Sequence, residues 1–153
     1  RKTIPNIRLI IVGAGPQKKI LENLIKKLDL KNNIILTGYH SDPAPFYKAM
    51  DLMILPSYAG EATSQVLPQA MLMGKPVIST ETGGLTEVVI HNETGIVVPS
   101  KNSQAIANAI KNLYKNKKLR LRIASQGREH ALNYFTFDKM IRTTDKVYCD
   151  LVD

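Results

Sequence analysis

Five short runs of aliphatic and β-branched residues recur along the chain at residues 7–12 (IRLIIV), 34–37 (IILT), 51–55 (DLMIL), 76–80 (PVIST) and 95–98 (GIVV). Segments of helical periodicity separate them, and this alternation constrains the fold more than any other feature. Between the first two runs, apolar residues fall at 20, 21, 24, 25 and 28, the spacing of one helix face. The runs themselves are apolar at successive positions, as strands covered on both faces are. Strands of that kind separated by helices predict a parallel sheet, so the chain reads as an α/β domain with a doubly wound parallel sheet.

The boundaries follow from turn chemistry. Gly13-Ala14-Gly15-Pro16 closes the first strand, Gly38 the second and Pro56 the third. A short helix is expected over 46–50 and another over about 64–73, with Gly74 as the left-handed residue that ends it. Gly83-Gly84 turns the chain into a short helix over 85–90. Helical spacing then fills 103–114, 119–131 and 137–151, a helical C-terminal tail. At 153 residues the chain has the length of one domain, and no apolar run approaches the roughly 20 residues that cross a bilayer.

Charge and cysteine usage narrow the setting. Net charge is +8, which favours anionic partners. Lys111, Lys115, Lys117, Lys118, Arg120 and Arg122 crowd one segment, readable as a solvated helix face or as a surface for acidic membrane lipid. Tyr114 is the one aromatic among them, and without a stacking pattern no nucleic acid partner is expected. Cys149 is the single cysteine and excludes an internal disulfide; no secretory signal opens the chain, and a cytoplasmic protein, peripheral at the inner face of a membrane, is the expectation. His40, His91 and His130 are scattered and no Asp-x-Asp occurs, so no metal is expected.

In sheets of this class ligands bind beyond the carboxyl ends of the strands. Gly13 and Gly15 are either a tight turn before a helix started by Pro16 or a place where backbone approaches a ligand; Lys18 stands where a dinucleotide fingerprint needs its third glycine. The turn after the third strand, PSYAGEATS, carries more information. Thr63 or Ser64 can cap the following helix, whose first amides suit a phosphate. Glu61 lies just outside that end, either as a dipole partner or as an acceptor for a sugar hydroxyl. Gln69 follows Gln65 by four residues on one helix side, as a solvent-facing pair or with Gln69 meeting a ribose. Glu87, three residues after Gly84, either supports the start of its helix or touches ligand; Gly83 and Gly84 either turn the chain or let backbone approach the donor.

From residue 8 to residue 148 the ordered series LIIVGAGP, IILTGYH, FYKAMDLMILPS, GEATSQVLPQAMLMGKPVIST, TGGLTEVV, NETGIVVP and FTF resembles the C-terminal, donor-binding domain of retaining GT-B glycosyltransferases, the group 1 or family 4 enzymes. The resemblance implies transfer of a hexose from a nucleotide diphosphate sugar, a UDP-sugar by preference, to a cell-surface glycan or lipid-linked acceptor. It implies no cofactor. Glu61 takes the place of the glutamate that contacts donor-sugar hydroxyls, and the amides of Ala62, Thr63, Ser64, Gln65 and Val66 meet sugar and diphosphate. Gln69 stands where the family has the glutamate that holds the ribose, and Tyr39 and His40 border the base. Retention in the family is ascribed to same-face attack assisted by the leaving phosphate, so Glu61 is expected to position rather than to attack.

The sequence opens on Arg1 in mid-pattern, and the expectation is a donor domain over 1–153, excised from a longer two-domain enzyme. The N-terminal acceptor domain and a first strand bearing an Arg and a Lys for the diphosphate would precede it. Such a fragment alone is expected to be inactive. Two other readings compete: a catalytically inactive nucleotide-sugar-binding or regulatory module, and a GT-B nucleotide-sugar epimerase.

Overall fold

A computed structural model describes residues 4–152, which fall into two compact units divided between Lys48 and Ala49. Each is an alternation of parallel strands and helices.

In the first unit, β1 (Leu9–Val12) pairs in parallel with β2 (Ile34–Gly38), and α1 (Lys18–Lys27) makes the crossover. The register shifts between Ile11 and Val12, where the strand runs into the glycine turn. Asn33 ties the two strand entrances by donating from Nδ2 to the Ile7 carbonyl at 3.0 Å. The helix α2 (Ala44–Ala49) begins after Asp42, whose carboxylate accepts from the Ala44 amide at 2.9 Å. Tyr47 is buried, and burial pushes its phenol above the ordinary 10.0.

The second unit holds the three-stranded parallel sheet β3 (Met53–Leu55), β4 (Val77–Thr80), β5 (Ile96–Val98), in that spatial order. The crossovers are α3 (Val66–Leu72) and α4 (Leu85–Val88), followed by α5 (Ser103–Lys115), α6 (Lys117–Tyr134) and α7 (Phe137–Val152). All four residues of the central strand β4 are buried, Val77 and Ile78 with the hydroxyl residues Ser79 and Thr80, as a strand covered on both faces is. One core cluster joins Ile78, Ile96 and Val98 of the sheet to Ala109 and Leu113 of α5 and Ile123 of α6.

Side-chain caps fix the ends of the long helices. Asn102 accepts from the Ala105 amide and Asn116 from the Leu119 amide, so α5 and α6 each start at an asparagine. Arg120 donates from Nη1 to the Leu113 and Tyr114 carbonyls at 2.6 and 3.2 Å, closing the exposed carbonyl end of α5. Arg128 does the same for α3, donating to the Leu72 carbonyl at 3.1 Å. Gly127 lets α6 settle onto its neighbours: a Cβ there would lie 2.8 Å from the Thr94 carbonyl oxygen and 3.6 Å from Met71. By contrast α7 buries none of its residues, and Phe137, Met140, Ile141, Val147, Tyr148 and Leu151 are exposed.

The strand and helix order matches the expectation element by element, with ends that move by a few residues. Strand pairing divides into a two-stranded and a three-stranded parallel sheet, one per unit. Gly74 takes φ +66 after α3, as the C-terminal signal required. The start of α3 is corrected: it begins at Val66 with Gln65 as its N-cap, and neither Thr63 nor Ser64 caps it.

Candidate functional site

The loop from β3 to α3 is anchored at two fixed points. Its first fixed point is the Ser57 carbonyl, which accepts hydrogen bonds from the hydroxyls of Thr80, at the end of β4, and of Thr82, the latter at 3.1 Å. The Ser57 hydroxyl in turn donates to Oε1 of Glu61 at 2.7 Å, a distance typical of a hydroxyl on a carboxylate. A half-buried Glu61 is thereby held by a residue whose backbone carbonyl is pinned from the end of β4. The turn between them passes through Gly60 at φ +74, a conformation suited to glycine.

The second fixed point is backbone against backbone. Gly83, at φ +54, lies so close to the loop that a Cβ would fall 1.7 Å from the Glu61 carbonyl oxygen. At Gly84 a Cβ would stand 2.5 Å from the Ala62 carbonyl oxygen and 3.1 Å from the Thr63 methyl. The paired glycines therefore do more than turn the chain: they admit the loop after β4 into contact with the Glu61 segment. Lys101 covers the outer side, its Nζ 5.5 Å from the centre of the exposed Tyr58 ring.

Beyond this loop, Gln65 and Gln69 both lie on the exposed side of α3, whereas Leu67, Pro68, Ala70 and Met71 are buried. Gln69 thus belongs to the exposed stripe and not to the packed face. The Gln65 side chain accepts nothing from the first turn of α3, and neither Thr63 nor Ser64 makes a side-chain hydrogen bond there. Pro68 stands third in the helix, where its missing N–H breaks no intrahelical bond.

In the first unit, Gly13 and Gly15 line an open cleft of about 240 Å³ together with Val12, Gln17, Lys18 and Gly38. The Gly13 amide donates to the Gly38 carbonyl at 2.8 Å, so the two strand ends close on each other below the cleft. Tyr39 is exposed, and the exposed His40 lies against the Phe46 ring with centroids 4.7 Å apart.

The histidines considered from sequence make local contacts. His91 accepts at Nδ1 from the Val97 amide at 3.0 Å. His130 packs against the rings of Tyr134 and Phe135. Glu87 is exposed in the first turn of α4. Among the described residues no group of three or more His, Cys, Asp or Glu is placed to hold a metal ion, and no helix is long and apolar enough to cross a membrane. Sequence reasoning missed Ser57, Thr80 and Thr82; the one available signal was a hydroxyl at the end of each neighbouring strand.

An α/β fold of parallel strands alternating with helices, followed by long C-terminal helices, is the architecture of a GT-B C-terminal half. The chain belongs to the glycosyl transferases group 1 family, whose pattern it matches over residues 1–130. Among solved structures, Anabaena Alr3699/HepE in complex with UDP-glucose is 29% identical and superposes with a TM-score of 0.90, over 96% of this chain and 42% of that one. Curated relatives include N-acetyl-alpha-D-glucosaminyl L-malate synthase of Bacillus anthracis, 28% identical over 145 residues, which are 95% of this chain and 38% of the relative. The capsular polysaccharide biosynthesis glycosyltransferase CapM of Staphylococcus aureus is 28% identical over 144 residues, 94% of this chain and 38% of its own length. The chain spans about two fifths of the length of these relatives.

Proposed function

We propose that this chain is the donor-binding part of a glycosyltransferase that moves a hexose from UDP-hexose to a cell-surface glycan or lipid-linked acceptor. The observation that carries the reading is the fixed Glu61 carboxylate: Ser57 holds one oxygen at 2.7 Å, and the other remains to accept from a hydroxyl of the donor sugar. Support for UDP comes from Alr3699/HepE, whose solved structure holds UDP-glucose, and for glycan assembly from CapM.

Cleavage of a glycosyl phosphate builds negative charge on the leaving diphosphate and positive charge on the sugar. Donors aimed at the diphosphate lower that barrier. In this reading the amides of Ala62, Thr63, Ser64, Gln65 and Val66 serve the sugar and diphosphate, and Gln69 the ribose. Tyr39 and His40 border the base, and Gly13 and Gly15 allow close backbone approach. In this reading Glu61 positions the sugar: Ser57 fixes one carboxylate oxygen, and the other accepts from a donor-sugar hydroxyl.

Calorimetric titration of the chain with UDP, GDP and ADP and their hexose derivatives tests the proposal. UDP and UDP-hexose are expected to bind. Glu61→Ala should weaken UDP-hexose by about 1.5–3 kcal/mol, as for a hydrogen bond to a charged group, while leaving UDP unchanged. Gln69→Ala should weaken both. An absence of heat with every nucleotide would sink the reading. A second reading, a binding or regulatory module without turnover, draws on Gln69 standing in place of a glutamate. Transfer measured in the full-length protein, and abolished by Glu61→Ala with folding preserved, decides for the enzyme.

A further inference from the structure

The net charge of +8 is concentrated in one place. Residues 94–128 contain no Asp or Glu, and they carry Lys101, Lys111, Lys115, Lys117, Lys118, Arg120, Arg122 and Arg128. The other thirteen cations of the chain are matched by thirteen acids, so these eight account for the whole excess. The structure sorts them by task. Arg120 closes the end of α5, Arg128 closes α3, Arg122 donates to the Asn92 carbonyl and to Gln126, and Lys101 covers Tyr58.

Four lysines remain, all at the corner where α5 ends and α6 begins: Lys111 and Lys115 on α5, Lys117 and Lys118 on α6. The side chain of none of the four makes a hydrogen bond or ion pair with any described residue. Lys117 and Lys118 open α6, the end of a helix where its dipole disfavours cations, so their placement is not explained by helix stability. Two apolar side chains stand exposed among them, Tyr114 at 53% and Leu121 at 57%. Tyr114 lies three residues after Lys111, and Leu121 four after Lys117, so each shares a helix face with a lysine.

We propose that this corner docks on an anionic lipid surface, the lysines meeting headgroups and Tyr114 with Leu121 entering the headgroup–acyl boundary. Unpaired lysines interspersed with an exposed leucine and tyrosine have the composition of an interfacial element. A single-stranded nucleic acid would call for several aromatic platforms, and this corner presents one. The proposal is independent of the donor site, which lies on other loops.

Co-sedimentation of the chain with vesicles tests it, using phosphatidylcholine alone and an equal mixture with phosphatidylglycerol. Binding is expected only to the mixed vesicles, and it should fall as salt is added. A lysine near such a surface strengthens binding by about fivefold, so combined Lys115→Ala, Lys117→Ala and Lys118→Ala should weaken it by about a hundredfold. The control variant, combined Lys19→Ala, Lys26→Ala and Lys27→Ala on the exposed face of α1, removes the same charge elsewhere and should retain most of the binding. Circular dichroism confirms that both variants fold. Equal loss in the two variants would overturn the proposal, as would equal binding to uncharged vesicles. So would tighter binding of a single-stranded oligonucleotide through Lys115, Lys117 and Lys118 with the vesicles ignored.

Discussion

Ser57 does two things at once: its carbonyl is the anchor for two threonine hydroxyls, and its own hydroxyl orients Glu61. Replacing Ser57 by Ala keeps the first and removes the second. The expected result is a stability loss of about 1 kcal/mol by urea unfolding, with UDP-hexose affinity reduced and UDP affinity intact, because only the carboxylate is set free. If UDP weakens equally, the loop as a whole has moved and Ser57 is a scaffold residue rather than a positioning one. Gln69 offers the opposite experiment. It is exposed on α3, so Gln69→Glu introduces a carboxylate without burying a charge. A charged acceptor holds hydroxyls about twice as strongly as a neutral one, and nucleotide affinity should rise by about 1 kcal/mol, roughly fivefold, read by calorimetry. Unchanged affinity would place Gln69 away from the ribose.

At the level of elements the packing of loops rests on glycines that look alike in sequence and differ in space. Gly74 and Gly83 both adopt left-handed φ, +66 and +54, so alanine at either incurs the same conformational strain of about 1–2 kcal/mol. At Gly74 the nearest obstacle to a Cβ is the Arg128 side chain at 3.9 Å, an ordinary contact, whereas at Gly83 it is the Glu61 carbonyl oxygen at 1.7 Å. Gly83→Ala is therefore expected to destabilise the chain more than Gly74→Ala, and to impair UDP-hexose binding where Gly74→Ala does not. Thermal unfolding and titration of the two variants side by side read both effects; equal behaviour would mean that the loops after β3 and β4 do not support one another. This pair also marks what the sequence discloses. Gly74 ends a helix, a local event with a local signature, and it was legible. The close approach at Gly83 depends on a segment more than twenty residues away, and nothing local announces it. The same reason moved the start of α3: Thr63 and Ser64 have the right chemistry for a cap, but the tertiary contacts of Gly83 and Gly84 set the course of residues 61–63, and the helix forms only from Val66. The Ser57–Glu61 bond lies between the two cases, four residues apart in sequence yet dependent on the turn at Gly60.

Across the whole molecule apolar burial is uneven. Among the described residues, every fully or nearly fully buried hydrophobic residue except Tyr47 belongs to the second unit, while α1 buries none of its residues and leaves Ile20 and Leu24 exposed. Regions with few buried apolar contacts open at lower free energy than a packed core, so stability is expected to be graded along the chain. Amide hydrogen exchange should show the slowest sites in β4, β5, α5 and α6, around Ile78, Ile96, Leu113 and Ile123, with α1 and β2 exchanging markedly faster. Substitution should follow the same gradient. Leu113→Ala, at 1% exposure, is expected to cost about 2–5 kcal/mol in urea unfolding, and Leu24→Ala, at 47%, about 0.5 kcal/mol or less. The gradient also bears on ligand-linked order, because the cleft lined by Gly13 and Gly15 lies in the less buried unit and the loop bearing Glu61 in the more buried one. Exchange protection as high in β2 as in β4, or a Leu24→Ala cost near that of Leu113→Ala, would show that cohesion does not follow the buried apolar surface.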